Sequence, residues 1–173
     1  MTPVDLLIWP RWVLPVVPRG EVLSGCGVAI RDGEIVAIVP SEGITRFAPE
    51  REVHLPRHAL LPGLVNAHTH VAMNLMRGIG DDLALMPWLE ERIWPIEGRL
   101  VDATFVADGT DHALAEMIRG GVTCANDMYF FPDVSLERAR EARFRLTAGC
   151  PVIEFPTAWG QGPADYLARA RRV

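Results

Sequence analysis

Near the N-terminus the apolar positions come in short runs. Residues 5–9 and 12–14 are two such runs, broken by Pro10 and Pro15. Residues 27–30 and 35–39 are two more, flanking the polar Arg31-Asp32-Gly33-Glu34. An Asp-Gly pair between β-branched runs marks a hairpin, because both residues tolerate the positive φ of a primed turn. Val53 and Leu55 alternate with Glu52 and His54, the period of a further strand. Residues 1–60 therefore predict a small, antiparallel, sandwich-like β domain, incomplete by itself.

The pattern changes at Leu60. Residues 60–68 read as a buried strand running into a polar tip. Leu85, Leu89 and Ile93 carry helical spacing, which predicts a helix over 82–94. A second helix is predicted over 102–119, with Asp102 as its cap and Gly120-Gly121 as its stop. Then follow a strand over 122–128, a helix over 135–143, a strand over 146–155 and a helix over 163–172. Strands alternating with helices imply a parallel sheet with helical crossovers. The fold class is α/β: a small N-terminal β domain over 1–60, then about three strand–helix units over 61–173.

Composition narrows the function classes. Of 173 residues, 49% are hydrophobic and 23% charged, which argues against disorder. Lys and Arg number 17 against 22 Asp and Glu, a net charge of -5. No basic stripe offers itself to phosphates, so nucleic acid is not an expected partner. No apolar run reaches the roughly 18 residues of a membrane helix, and the Asp5, Arg11 and prolines near the start do not make a signal peptide. Cys26, Cys124 and Cys150 are odd in number and far apart, so a disulfide framework or thiolate zinc site is not expected. A cytoplasmic protein fits these features.

The sharpest chemical feature is Asn66-Ala67-His68-Thr69-His70. Alternate side chains of a strand share a face, so Asn66, His68 and His70 are expected to point one way. Two imidazoles so placed can grip one metal ion at the carboxyl end of a strand, where parallel α/β folds put their sites. They do not complete a zinc site, which needs three or four ligands. Asp127 ends a predicted strand and could face the same site or bind loop amides. His54, His58 and His112 show no ligand spacing and read as surface or satisfied polar residues. Cys124 and Cys150 read as small core residues, and the arginines of 138–145 as a solvated helix face.

The segment Leu61-Pro62-Gly63-Leu64-Val65-Asn66-Ala67-His68-Thr69-His70 resembles the first barrel strand of the amidohydrolase superfamily. Met73-Asn74-Leu75-Met76-Arg77-Gly78, Pro87-Trp88-Leu89 and Trp94-Pro95-Ile96-Glu97 are similar to the 5-methylthioadenosine/S-adenosylhomocysteine deaminase branch, which also holds the triazine hydrolases. Gly120-Gly121-Val122-Thr123-Cys124 with Asp127-Met128-Tyr129-Phe130-Phe131 resembles that branch's second barrel strand. Residues 151–156, PVIEFP, resemble its third.

The resemblance implies a TIM-type (β/α) barrel, of which this chain would hold the N-terminal part. It implies that His68 and His70 are ligands of one divalent metal ion, most often zinc. It also implies that Glu97 accepts the ribose hydroxyls of an adenosine-type substrate and that Trp88 lies near the nucleoside. The otherwise expected roles are a solvated helix-end carboxylate for Glu97 and a core anchor for Trp88. The implied activity is hydrolytic deamination: a metal-activated water attacks C6 of the adenine ring and ammonia leaves, giving the inosine analogue. Related members act on 8-oxoguanine, pterins or triazines, and those substrates remain alternatives.

The family's further ligands and its proton-shuttling glutamate have no match here, so the catalytic residues are expected beyond Val173. Three units of an eight-unit barrel suggest a piece of an enzyme of about 400 residues, given barrels of about 250 residues plus insertions. Such a piece is expected to be inactive and marginally stable alone. The other readings are a non-catalytic truncated subunit, completed by a homo-oligomer or a second chain, and a truncated product without function.

Overall fold

The computed structural model describes residues 1–173, the side chains of Ile44 and Thr45 excepted. The chain divides into two compact units, Met1–Pro62 and Gly63–Val173.

In the first unit, β1 (Thr2–Val13) runs straight through Pro10. The two short runs on either side of that proline are thus one strand. Proline gives no N–H to a ladder and is tolerated at bulges. The pairing of β1 with β5 (Phe47–Leu60) shifts register between Pro10 and Trp12. Strands β2 (Leu23–Ser24) and β3 (Cys26–Arg31) pair antiparallel to β1, and β4 (Glu34–Pro40) pairs antiparallel to β3. The β3–β4 turn has Asp32 at φ 53° and Gly33 at φ 78°, the positive angles that the Asp-Gly pair predicts. Strand β5 pairs with β1 in parallel, so the sheet is mixed and not antiparallel throughout. The reason is topological: after the β3–β4 hairpin the chain returns to β1 by a crossover, and crossovers deliver parallel strands. Val4, Leu7 and Ala29 form the buried centre of this unit, with Trp9, Ala37 and Phe47 packed around them.

The second unit is built on a parallel sheet in the order β6 (Leu64–Thr69), β7 (Val122–Met128), β8 (Arg145–Gly149). After β6 a 3₁₀ turn covers Val71–Met76. The next helical segment differs from expectation. It starts at α1 (Leu85–Trp88), passes through a π-type turn at Leu89–Ile93 and continues as α2 (Trp94–Leu100). The apolar spacing that predicts the helix runs only to Ile93, so the expectation ends at Trp94, while Pro95 lies inside the observed segment. The wider π turn changes the hydrogen-bond pattern just where the proline N–H is missing, and the helix goes on.

Helix α3 (Ala103–Arg119) has the predicted cap, with Asp102 Oδ1 accepting from the Phe105 amide at 2.8 Å. At its other end Gly121 turns the chain at φ 80° into β7. Helix α4 (Pro132–Glu141) begins three residues before its predicted start, with Pro132 at the first position, where no N–H is needed. Strand β8 ends at Gly149, and the predicted remainder to Phe155 leaves the sheet. Helix α5 (Pro163–Ala170) closes the unit. Its buried Tyr166 hydroxyl lies 2.9 Å from Phe155 O and 3.0 Å from Gly160 O, which folds the segment after β8 back on itself.

Two buried clusters support this unit. Leu114, Ala125, Ala139 and Phe144 pack α3 and α4 on the sheet. Ala72, Met76, Ile93, Val101, Val106 and Tyr129 lie where the helical segment meets α3 and the end of β7. The 3₁₀ turn is also held to α3 by polar contacts. Asn74 Nδ2 lies 2.7 Å from His112 Nδ1, and Arg77 Nη1 donates to Glu116 Oε1 at 2.9 Å. His112 is thus a satisfied surface residue, as its isolation in sequence suggests. Arg138 bonds Asp111 through Nε at 2.8 Å and Nη2 at 2.6 Å on an exposed face.

Helix α3 approaches the 3₁₀ turn so closely that a Cβ on Gly109 would stand 2.5 Å from Ala72 O. Gly109→Ala should therefore destabilise the protein by about 1–3 kcal/mol, as overpacking does. Gly98→Ala on the open face of α2, where a Cβ meets nothing within 4 Å, should be neutral or stabilising. Urea unfolding of both variants checks this. The Arg77 guanidinium and the Asn74 amide pull the Glu116 carboxyl from 4.5 down to about 2. A lowered folded pKa stabilises the fold above the unfolded value, and that contribution fades as pH falls from about 4.5 toward 2. Melting curves of wild type and Glu116→Gln should converge over that interval.

Candidate active site

The C-terminal ends of β6 and β7 lie side by side, with Thr69 paired to Asp127. The ladder is irregular between Asn66 and Thr69, so simple alternation fails there. Asn66 accordingly turns toward α3, with Nδ2 3.9 Å from Met117 Sδ, and its Oδ1 accepts from the His68 amide at 3.3 Å. It does not share the direction expected with the two histidines. The rings of His68 and His70 stand edge to face, centroids 5.3 Å apart.

His70 is the better anchored of the two. Its Nδ1 lies 2.6 Å from the carbonyl oxygen of Met128. A carbonyl only accepts, so the proton sits on Nδ1 and the lone pair on Nε2. The next residue is held as well, with the Val71 amide donating to Asp127 Oδ1 at 2.8 Å. Asp127 therefore binds a loop amide, the second of the two roles its position suggested. It is almost fully buried, and its Oδ2 has no hydrogen-bond partner among the described residues. Burial pushes its carboxyl above the usual range, against the opposing pull of the Val71 amide and His70.

A cavity of about 670 Å³ opens beside His70. Its walls come from the helical segment (Trp88, Trp94, Glu97), from the end of β7 (Met128, Tyr129) and from the chain after β8 (Ile153, Phe155). Aromatic and aliphatic groups dominate. Trp88 packs against the core cluster and lines the cavity at once, while its Nε1 donates to Ile79 O at 2.9 Å. Glu97 is half-buried, not the solvated carboxylate that a helix end suggests. Its Oε1 accepts from the Tyr129 hydroxyl at 2.7 Å. Burial raises its carboxyl pKa, and the Tyr129 hydrogen bond opposes that rise.

His70, Trp88 and Glu97 thus line one cavity. His68 lies outside its wall and borders an adjoining depression with His70 and Trp88. Two contributors were not anticipated. Tyr129 and the Met128 carbonyl carry no individual signal in the sequence beyond their place at the end of a strand.

The donor set suits a metal ion. Two imidazoles are present, and His70 shows the outer hydrogen bond that orients a metal-ligating ring. Among the described residues no group of three His, Cys, Asp or Glu side chains could hold a metal, so the two imidazoles could supply at most part of a coordination sphere.

The Amidohydrolase family profile matches residues 59–172. The chain belongs to the amidohydrolase family. It is 47% identical, over 99% of its length, to a 5-methylthioadenosine/S-adenosylhomocysteine deaminase of Saccharophagus degradans. It is 37% identical, again over 99% of its length, to the protein of that name in Aquifex aeolicus. It spans 39% and 38% of those relatives. Among solved structures, an adenosine deaminase from Xanthomonas campestris with bound zinc superposes with TM-score 0.94 at 49% identity, covering 99% of this chain and 39% of that one. Atrazine chlorohydrolase from Arthrobacter aurescens, solved with zinc, superposes with TM-score 0.78 at 19% identity over 95% of this chain and 41% of its own, a likeness of fold. No helix among the described residues of this amidohydrolase is long and apolar enough to cross a membrane.

Asp127→Ala should cost about 1–3 kcal/mol, because the buried Val71 amide loses its acceptor. Asp127→Asn keeps an oxygen at that place and should cost less. Chemical denaturation of the two variants beside wild type decides the order.

Proposed function

We propose that this amidohydrolase chain forms the N-terminal part of a metal-dependent deaminase acting on adenosine-type nucleosides. In this reading 5-methylthioadenosine or S-adenosylhomocysteine becomes the inosine analogue and ammonia. The observation that carries the reading is the convergence of His70, Trp88 and Glu97 on one aromatic-walled cavity. The names of the relatives and the zinc in the Xanthomonas structure point the same way.

His68 and His70 would hold one divalent ion, zinc in this reading, with the His70 Nε2 lone pair directed by the Met128 carbonyl. Such an ion supplies Lewis acidity and makes water nucleophilic near neutral pH. The chain's own residues do the rest of what is assigned here. Trp88 and the apolar walls shed water from a planar base. Glu97 accepts hydrogen bonds from the ribose diol, for which an ionised carboxylate has lone pairs to spare. The cavity walls position the nucleoside beside the histidines.

We propose further that the residues completing the metal site and moving the proton lie outside these 173. The chain spans about two fifths of the relatives it matches. Its three-stranded parallel sheet corresponds, in this reading, to the first units of a TIM-type barrel, with residues 1–60 as part of a smaller β domain. Val65 on β6 is 66% exposed, an apolar group that further strands would cover. A chain completing the barrel, within the same polypeptide or from a partner, fits this. So does a reducing, cytoplasmic setting for three free cysteines.

The test uses the protein expressed from its own gene. Ammonia release from both nucleosides should vanish with a chelator and return with zinc. His70→Ala should lose the metal. Glu97→Ala should keep it, yet lower kcat/KM roughly 10- to 100-fold, the worth of hydrogen bonds to a charged group. Turnover of a triazine or 8-oxoguanine in place of the nucleosides would move the assignment to another branch of the family. Unchanged kinetics in Glu97→Ala would remove Glu97 from the site.

A further inference from the structure

Tyr129 follows the last residue of β7 and is 5% exposed. Its ring is tilted against Phe130 at 5.1 Å and against His70 at 6.4 Å, so it sits between the histidine and the helical segment. Its hydroxyl reaches across to α2 and meets Glu97 Oε1 at 2.7 Å. Burial and the neighbouring carboxylates keep the phenol protonated, so the hydroxyl is the donor and Glu97 the acceptor. The other oxygen, Oε2, takes no hydrogen bond among the described residues and is not sealed from solvent.

Glu97 without that contact would be a flexible side chain on a short helix beyond a π turn. Three freely turning bonds would spread its carboxylate over several rotamers, and binding a substrate would have to order it. A buried, rigid tyrosine removes that requirement. It also links Glu97 to the strand whose preceding residue holds His70. The two groups that face a ligand from opposite elements are thereby set at a fixed separation.

We propose that Tyr129 is the positioning residue of the site: its hydroxyl fixes one oxygen of Glu97 so that the carboxylate is already oriented for a vicinal diol. This rests on the assignment of Glu97 to the ribose made above. Tyr129 touches the reacting ring of no substrate in this scheme. Its effect runs through Glu97 and concerns binding, not the chemical step.

The experiment compares Tyr129→Phe, Glu97→Ala and the double variant in the zinc-loaded protein expressed from its own gene, with 5-methylthioadenosine and its 2′,3′-dideoxy analogue as probes. Metal content is measured alongside. Tyr129→Phe should raise KM for the diol substrate roughly 3- to 10-fold, the worth of one hydrogen bond, with kcat within about twofold. Metal content should stay unchanged. The effect should disappear in the Glu97→Ala background and with the dideoxy probe. Wild-type KM in Tyr129→Phe beside an impaired Glu97→Ala overturns the proposal and leaves the Glu97 assignment standing. Unimpaired Glu97→Ala overturns that assignment first. An undiminished Tyr129→Phe effect in the double variant, or loss of metal with it, also overturns positioning through Glu97. Should Tyr129→Phe not fold, Tyr129→Met serves instead, since it removes the hydroxyl that makes the 2.7 Å contact and leaves Glu97 in place. Wild-type KM in Tyr129→Met overturns the proposal, and a rise that disappears in the Glu97→Ala background, with kcat and zinc retained, supports it.

Discussion

The end of β7 holds the segment around His70 by two hydrogen bonds, and the rest of the site is arranged about them. The Met128 carbonyl takes the His70 Nδ1 proton, and Asp127 Oδ1 takes the Val71 amide. One bond sets the ring and its tautomer, and the other sets the backbone that follows it. Both come from successive residues of a neighbouring parallel strand, so the pairing of β6 with β7 is what lines them up. A buried carboxylate with one unpartnered oxygen is costly in a protein interior.

A second layer depends on the first. The helical segment from Leu85 to Leu100 passes through a π turn and continues past Pro95 to present Glu97. Ile93 beneath the turn is buried with Val101, Val106 and Tyr129. The same apolar contacts that stabilise the segment therefore bring its carboxylate to the Tyr129 hydroxyl. Packing and polar positioning are not separable here, because Tyr129 takes part in both.

The histidine pair was legible because its spacing is local and its chemistry rare. The Asp102 cap, the Asp32-Gly33 turn and the extent of β7 were legible for the same reason: neighbours in sequence decide them. The direction of Asn66 was not, because a register shift between Asn66 and Thr69 breaks the alternation on which the expectation rests. The parallel entry of β5 beside β1 was hidden too, since strand polarity follows from the path of the intervening chain. The end of the helix at Leu100 escaped periodicity because the apolar spacing that marks the helix runs only to Ile93.

By itself the sequence determined the hairpin, the helix cap, the extent of β7 and the presence of two imidazoles at a strand's end. Through its resemblance it also determined the amidohydrolase family. Each of these depends on residues within a few positions of one another, or on a pattern of such groups. Only the tertiary structure decided that Glu97 is half-buried, that Tyr129 is its donor, that Asp127 serves a backbone amide and that Met128 selects the tautomer of His70. The hydrogen bonds among them span 32 to 58 positions of chain. They exist because parallel strands and a helical segment meet at one end of a sheet, and no local pattern encodes which side chains meet there.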